Sequence, residues 1–502
     1  MRRSGRMRAL LSAVATVCCV AAALPARAQE AVKTVADPRT KTISEQQKEA
    51  LTVKPNVVSR KLDNGLELLI IEDHSLPLVT IEVAVKNGAF TESPEFNGLS
   101  HLYEHMFFKA NQAIPTQEQY LARTRELGLV WNGTTSEERV NYFFTMGSAQ
   151  LEDGMKFMAD ATLTPLFEEG ELVKEREVVI GEVDRNESNP YFHLFRAMDQ
   201  HLFSKYPTRK DTLGDRVTIQ TATREKMLTM KQKYYVPNNS ALVIAGDVTP
   251  DAAETVARQW FGAWPTSPDP FKTDPIPKHP ALKKTEAFVV TQPVQTATIQ
   301  LGWHGPSVSE DPASTYAADV FHFILGQRSS AFQKALVDSG LALQVGGGYY
   351  TLNHTGPISY TMVTTPDKID AAITALQAEI ARFASPDYFT DEQLETAKTL
   401  LTIDHLYSQE KTSSFAHTVS FWWAVAGLDY LNTYLPKLQA VSRADIQRFV
   451  TTYLDNKNYV LGLLVSEDTQ KLAGLDDKKL KTWAKPIRVA KGKVKGIKKG
   501  GR

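Results

Sequence analysis

A proline-rich stretch near the middle of the chain limits the folds that the sequence can adopt. Six prolines lie between Pro265 and Pro280. Because proline lacks a backbone N–H and its ring crowds the preceding turn, this stretch is predicted to form neither a helix nor an interior strand. The chain of 502 residues is also too long for one hydrophobic core. We therefore predict two domains of similar size, joined by a linker at residues 265–284.

The two halves resemble each other just before the last predicted strand of each. Residues 235–239 lead into apolar residues 241–245, and residues 453–456 lead into residues 459–465 in a similar way. The similarity favours a duplicated domain. In the first half, strand signals around the Asn64-Gly65 turn come first and helical signals follow. This order is typical of the α+β class with antiparallel sheets.

The N-terminus has the pattern of an export signal. Basic residues precede an apolar run at residues 10–24, and Ala26-Arg27-Ala28 has the small-x-small pattern of a cleavage site. The run is short for a membrane span, so a retained anchor is the less favoured alternative. We predict a signal peptide at residues 1–28, no integral membrane segment after cleavage, and a periplasmic location.

Composition then restricts the chemistry of the mature protein. Both cysteines, Cys18 and Cys19, lie in the predicted signal peptide, so a zinc ion would have to be held by histidine and carboxylate. The chain has 57 basic and 57 acidic residues, and loss of the signal arginines makes it mildly acidic, which argues against nucleic acid as a partner. Residues 29–51 are predicted to be an N-terminal extension, and residues 486–502 a basic disordered tail.

The segment His101-Leu102-Tyr103-Glu104-His105 places two imidazoles four residues apart, with a carboxylate between them. Positions i and i+4 lie on one face of an α-helix, so both rings could reach a single metal ion. Glu104 lies beside that face, where it could accept a proton from a water held by the metal. This H-x-x-E-H arrangement reverses the commoner H-E-x-x-H zinc-protease motif.

A catalytic zinc site of this kind requires a third protein ligand from elsewhere in the chain. The acidic segment at residues 168–186 is predicted to be helical, and it places Glu175 and Glu182 seven residues apart on one face. Glu182 could bind the metal while Glu175 orients the site from behind. The residues alone leave open the simpler interpretation, in which both glutamates lie on a solvated helix.

Three segments together resemble the M16 (pitrilysin/insulinase) zinc peptidases, a family that includes the mitochondrial processing peptidase and bacterial periplasmic homologues. The first is the motif in its context from Gly98 to Lys109. The second is residues 175–182, similar to the family's third-ligand segment. The third is residues 132–142, similar to the strand that pairs with substrate in that family.

The resemblance implies an α+β fold with two related domains, at residues 52–264 and 285–485. Each would be an antiparallel sheet with helices packed on one face, and the two would form a clam-like chamber. Peptide substrate would add as a strand near Asn132 and Gly133.

The resemblance also assigns roles at the site. Zn²⁺ would be the cofactor, with Glu104 as general base and Glu175 as its supporting catalytic residue. The metal ligands would be His101, His105 and Glu182.

The second domain departs from the family pattern. It lacks an H-x-x-E-H motif, and its positions for a substrate-binding arginine and tyrosine are Leu336 and Leu343. One interpretation is that a paralogous M16 subunit supplies the Arg/Tyr pair in a heterodimer, with a homodimer as the other assembly considered. The alternative is that Arg328, Tyr349 or Tyr350 replaces the pair within this chain.

The predicted function is therefore zinc-dependent endopeptidase activity on peptides or unfolded polypeptides, carried by the zinc-bearing subunit of a hetero-oligomer. Two alternatives stay open at this point. One is a non-catalytic peptide-binding or assembly subunit of an M16-type complex. The other is zinc-dependent hydrolysis of a substrate that is not a peptide.

Overall fold

The computed structural model describes residues 56–490. The predicted signal peptide at 1–28, the N-terminal extension at 29–51 and most of the predicted basic tail therefore lie outside the described residues. Among the helices of the described part, none combines the length and the apolar character needed to cross a bilayer.

The first domain is built on a sheet with the strand order β1-β2-β6-β3-β5-β4. β2 and β6 run parallel, and the other neighbouring pairs are antiparallel. The turn between β1 and β2 contains Gly65, whose φ of 95° suits glycine, as the predicted hairpin requires. The strands are β1 (Val58–Lys61), β2 (Glu67–Glu72), β3 (Leu78–Val85), β4 (Val130–Thr135), β5 (Val140–Gly147) and β6 (Ser240–Gly246).

Helices of the first domain fill the long connections between its strands. Many start at a residue whose side chain accepts a hydrogen bond from the first turn, such as Thr116, Asp215 and Thr249. The helices are α1 (Leu99–Phe107), α2 (Gln117–Glu126), α3 (Leu151–Leu163), α4 (Glu169–Glu187), α5 (Pro190–Leu202), α6 (Arg216–Gln220), α7 (Arg224–Tyr234), α8 (Pro250–Phe261) and α9 (Pro270–Thr273).

The second domain has a sheet with the strand order β7-β11-β8-β10-β9. Its strands are β7 (Glu286–Thr291), β8 (Ala297–His304), β9 (Gln344–Tyr349), β10 (Pro357–Thr364) and β11 (Val460–Val465). Its helices are α10 (Pro312–Gly326), α11 (Ala331–Gln333, continuing as a π-helix at Lys334–Asp338), α12 (Ile369–Arg382), α13 (Asp391–Tyr407), α14 (Thr412–Val425), α15 (Leu428–Gln439), α16 (Arg443–Tyr453), α17 (Glu467–Leu472) and α18 (Asp477–Trp483).

Apart from β1, the first sheet has the same topology as the second sheet. β6 lies between β2 and β3 and runs parallel to β2, and β11 lies between β7 and β8 and runs parallel to β7. The next two strands then continue each sheet as an antiparallel hairpin, ending on β4 in the first sheet and on β9 in the second. The predicted α+β class with two related domains is confirmed, with one parallel pair added to each sheet.

One face of the first sheet carries the domain's own core, and its other face is covered by a helix from the second domain. On that face, Phe415, Val419 and Trp423 of α14 share a buried cluster with Val243 and Ala245 of β6. Both faces of β6 are therefore buried, which accounts for its nearly continuous apolar sequence.

The second sheet receives a helix from the first domain in return. Met198 and Leu202 of α5 cluster with Val460 of β11. Glycines let the helix approach closely, since a Cβ at Gly302 would lie 2.8 Å from a methyl of Leu202. A Cβ at Gly462 would likewise lie within 3.1 Å of Met198. The two domains thus exchange covering helices.

A buried polar network attaches α14 to the first sheet. Glu82 on β3 is 0% exposed; it accepts a hydrogen bond from Asn141 at 2.8 Å and contacts His417 and Ser420 of α14. Burial raises the pKa of Glu82, but His417 and Arg139 lower it more, so the net shift is downward. Glu82 is therefore ionised at neutral pH.

This network is expected to weaken in acid. Because the pKa of Glu82 is lower in the folded state than its ordinary 4.5, its contribution to stability is present above that value and is lost as the pH falls below it. We expect Glu82→Gln to reduce the dependence of the unfolding free energy on pH below this value. Urea denaturation at a series of pH values measures it, with the exposed Glu152→Gln as control. An unchanged pH dependence in Glu82→Gln would contradict the assignment.

Two details of the sequence prediction are wrong. The linker contains the short helix α9, because Pro270 occupies the first helical position, where proline is tolerated, and Asp269 caps it. The segment assigned to the disordered tail begins with packed residues. Ile487 and Val489 are buried in the second domain's core, and Ala490 N–H donates to Ala381 O at 2.7 Å.

Candidate metal centre

The helix α1 presents the predicted motif on its less buried side. Leu102, Tyr103 and Met106 are buried in the core of the first domain, whereas His101 and the two other polar residues of the motif are only half-buried. This alternation follows the helical period. Packing of the apolar side against the core therefore sets the direction in which the two histidines and the glutamate of the motif point.

The start of α1 is held by the buried carboxyl group of Glu92. Glu92 accepts hydrogen bonds from the backbone N–H of Gly98 at 2.7 Å and of Ser100 at 2.6 Å. Burial raises the pKa of Glu92 to about 8, although these hydrogen bonds lower it. Gly98 has φ of 90°, in the left-handed region that favours glycine. Glu92 thus satisfies two of the free N–H groups at this helix end.

Three side chains converge as the sequence predicted. The Nε2 atoms of His101 and His105 lie 3.3 Å apart. Oε2 of Glu182, on α4, lies 3.4 Å from Nε2 of His101 and 3.7 Å from Nε2 of His105. A search of the described residues for three or more side chains close enough to bind one metal ion finds this group.

These separations fit a zinc ion. Zinc bonds of about 2.0–2.2 Å at tetrahedral angles place neighbouring ligand atoms about 3.3–3.6 Å apart. The observed separations of 3.3, 3.4 and 3.7 Å agree with that range within a tenth of an ångström. Two imidazoles and one carboxylate also form a donor set of catalytic zinc sites, leaving a fourth position open.

Glu182 is in the charge state that a ligand requires. Its hydrogen bond with His101 lowers its pKa most, burial opposes this effect, and the charge of His105 adds to it, giving a pKa of about 2. The carboxylate is therefore ionised across the neutral range, as metal binding requires.

Glu175 lies behind the ring of His105, on the side away from Glu182. Its Oε1 is 2.9 Å from Nδ1 of His105, and its Oε2 is 2.6 Å from Nζ of Lys109. Burial raises the pKa of Glu175, but His105 and Lys109 together lower it by more, so the net shift is downward. With Nδ1 engaged by Glu175, Nε2 of His105 is directed toward the other two ligand atoms.

We expect Glu175→Gln to weaken zinc binding by about 10- to 100-fold, since partners of this kind typically have such effects. The amide cannot replace the carboxylate that fixes the ring of His105. Competition with a chromophoric chelator measures the affinity. Glu177→Gln, exposed on the same helix, serves as control, and equal affinities in the two variants would contradict the role of Glu175.

The general-base candidate lies against the edge strand β4. Oγ1 of Thr135 donates to Oε2 of Glu104 at 2.7 Å. A Cβ at Gly133 would lie 2.7 Å from Cγ of Glu104, so glycine is needed there for the glutamate to fit. Asn132, the other predicted substrate-binding residue, is exposed on the same strand. β4 is the last strand of the sheet, so its outer edge pairs with no other strand of the described residues.

The candidate replacements for the missing arginine and tyrosine have different surroundings. Leu336 is fully buried and Leu343 is 60% exposed. The hydroxyl of Tyr349 is buried and donates to Pro306 O at 2.8 Å, and Tyr350 hydrogen bonds with Glu137. Arg328 is exposed. The two tyrosines are therefore already engaged within the fold.

Sequence reasoning assigned no role to three residues of this site: Glu92, Lys109 and Thr135. Lys109 could have been found from its spacing, since it lies four residues after His105. Glu92 and Thr135 act across loops and strands, where spacing carries no such signal. Only the folded arrangement brings them to α1.

Two models of one known protein family match this chain. A family model described as Insulinase (Peptidase family M16) matches residues 67–216, and one described as Peptidase M16 inactive domain matches residues 221–401. A zinc protease of Rickettsia felis is 26% identical over 378 residues, which cover 75% of this chain and 89% of that protein.

Solved structures share the fold. A protease from Helicobacter pylori superimposes with a TM-score of 0.73 at 21% identity, covering 82% of this chain and 100% of that chain. The periplasmic protease PqqL from Escherichia coli gives a TM-score of 0.69 at 17% identity, covering 86% of this chain and 50% of that chain.

Proposed function

The chain belongs to the M16 family of peptidases, and on that premise we propose that it is a zinc-dependent endopeptidase acting on peptides or unfolded polypeptides. The observation that carries the proposal is the set of separations of 3.3, 3.4 and 3.7 Å among His101, His105 and Glu182. Glu104, on the same helix as the two histidines, supplies a carboxylate beside that set.

In this proposal, each residue has one task. His101, His105 and Glu182 hold the zinc ion, which when bound would polarise a water molecule and the scissile carbonyl. Glu104 accepts a proton from the attacking water and delivers it to the leaving amine nitrogen. Glu175 keeps the ring of His105 in its binding orientation. The products are a carboxylate and an amine, so no further reactant is required.

The substrate is proposed to bind by strand addition. The edge of β4 at Asn132 and Gly133 would pair with the backbone of an extended peptide. Backbone pairing depends little on side-chain identity, which suits peptides or unfolded chains of varied sequence. The position of Gly133 directly beside Glu104 would bring the paired peptide to the base.

We also propose that a second subunit takes part. Leu336 and Leu343 cannot donate hydrogen bonds to the developing oxyanion, and a donor of this kind is worth about 3–4 kcal/mol elsewhere. A paralogous M16 subunit supplying an arginine and a tyrosine would complete the site, and a homodimer is the other assembly considered. Light scattering of the chain alone and with such a paralogue distinguishes these states.

The proposed location is the periplasm, with export directed by residues 1–28. The signal pattern in the sequence supports it. A structural relative named as a periplasmic protease, PqqL from Escherichia coli, is consistent with it.

The test of this function is cleavage of a mixed peptide pool by residues 29–502 loaded with zinc, followed by mass spectrometry of the products. We expect internal cleavage that disappears on chelation and returns with added zinc. Absence of cleavage with zinc bound, both alone and with the paralogous subunit, would favour the alternative of a non-catalytic peptide-binding subunit. Cleavage of internal bonds separates an endopeptidase from hydrolysis of other substrates.

A further inference from the structure

Thr135 makes a hydrogen bond whose acceptor is the proposed general base. Its hydroxyl donates to Oε2 of Glu104 at 2.7 Å, whereas Oε1 of Glu104 accepts no hydrogen bond from the described residues. Gly133 and Thr135 lie two residues apart on β4, so they face the same side of the sheet. A Cβ at Gly133 would lie 3.1 Å from Oε1 and 2.7 Å from Cγ of Glu104. The side chain of Glu104 therefore contacts β4 at two residues: it packs against Gly133 and accepts a hydrogen bond from Thr135.

We propose that Thr135 is a positioning residue that holds the carboxylate of Glu104 in the orientation needed for proton transfer. This inference rests on the proposed peptidase function. The hydroxyl engages Oε2 and leaves the lone pairs of Oε1 for the proton of the attacking water. Thr135 keeps its own proton throughout, and the transferred proton passes from water to Glu104 and then to the leaving nitrogen.

The strand end that carries Thr135 is itself braced by the second domain. Nη2 of Arg139 donates to Oγ1 of the neighbouring Thr134 at 3.1 Å. Nη1 of Arg139 donates to His417 O and to Ser420 Oγ, both at 2.7 Å and both on α14. Arg139 is buried between the two domains. The hydroxyl that orients the base is therefore carried by a strand end fixed from both domains.

The same strand would also receive the substrate. If the peptide pairs with the free edge of β4, one element sets both the path of the peptide and the direction of the carboxylate. Their relative placement then depends on a single rigid strand instead of two separately moving parts, which suits a reaction that requires close alignment.

The proposal predicts distinct effects of two substitutions. Thr135→Val keeps the shape but removes the hydroxyl, and we expect kcat to fall about 10- to 100-fold, as for other orienting partners of active-site groups. KM is expected to change less than about twofold, since the peptide pairs with backbone atoms. Thr135→Ser retains the hydroxyl and should recover most of the rate, which a purely structural role would not require.

The experiment measures kcat and KM of the zinc-loaded wild type and both variants on a fluorogenic peptide, together with zinc content and melting temperature. A Thr135→Val enzyme with wild-type kcat, or a Thr135→Ser enzyme as impaired as Thr135→Val, would overturn the proposal. Failure of the peptidase function shows separately, as a wild type that binds zinc and cleaves nothing, both alone and with the paralogous subunit.

Crystal structures of the two variants give a readout independent of turnover. The carboxylate of Glu104 should keep its orientation in Thr135→Ser and rotate in Thr135→Val. An unchanged orientation in Thr135→Val would overturn the positioning role, whatever the activity of the chain.

Discussion

Glu104→Gln is expected to abolish most peptide cleavage while leaving zinc bound. The amide has nearly the same shape and can still accept the hydrogen bond from Thr135, but it cannot accept the proton of the attacking water. General-base catalysis contributes about 10²- to 10⁴-fold, so kcat should fall by this factor. Steady-state kinetics on a fluorogenic peptide, with metal analysis of the same samples, measures both properties.

The exposed Glu118→Gln on α2 is the matched control, since it makes the same chemical change away from the site. Its kcat should equal that of the wild type. A Glu104→Gln enzyme that keeps both its zinc and its wild-type rate would show that another group accepts the proton. If the variant lost its zinc as well, a lower rate would not identify Glu104 as the base, so the zinc measurement is essential.

Glu182→Ala is expected to remove the zinc ion and, with it, the activity. Glu182 has a carboxylate oxygen 3.4 and 3.7 Å from the two histidine nitrogens, and without it only two of the three proposed protein ligands are left. Partners behind a ligand already contribute about 10- to 100-fold to metal affinity, so loss of a ligand should weaken affinity by more than about 100-fold. Chelator competition and metal analysis after dialysis measure this change.

The exposed Glu177→Ala on the same helix controls for the loss of a glutamate from α4. Zinc should raise the melting temperature of the wild type and of this control, because an ion that binds only the folded state stabilises it. Added zinc should leave the melting temperature of Glu182→Ala unchanged. Tight zinc binding by Glu182→Ala would mean that the third ligand is another residue.

The parts of this site that could be predicted from the sequence are those governed by short-range geometry. The i, i+4 spacing of His101 and His105 already places both rings on one helix face, and the structure brings their nitrogens together. Glu182 lies on another helix, and spacing alone did not distinguish it from its neighbours. Its selection depended on the resemblance to M16 peptidases.

The parts that could not be predicted depend on contacts between distant segments. The apolar residues of α14, such as Val419, indicate that the helix is buried but not that a sheet of the other domain buries it. Pairing of β6 with β2 likewise depends on the closure of the whole domain. The burial of Ile487 and Val489 was not predicted, because basic residues dominate the composition of the C-terminal segment around them.

The exchange of covering helices has a consequence for how the protein is made. When the ribosome has completed β6, every strand of the first sheet is present, but the apolar face formed by Val243 and Ala245 has no cover. The residues that cover it, at 412–425, are synthesised only near the end of the chain. The first domain therefore cannot cover this face until residues 412–425 have been made, and until then it presents an apolar surface of the kind that chaperones bind.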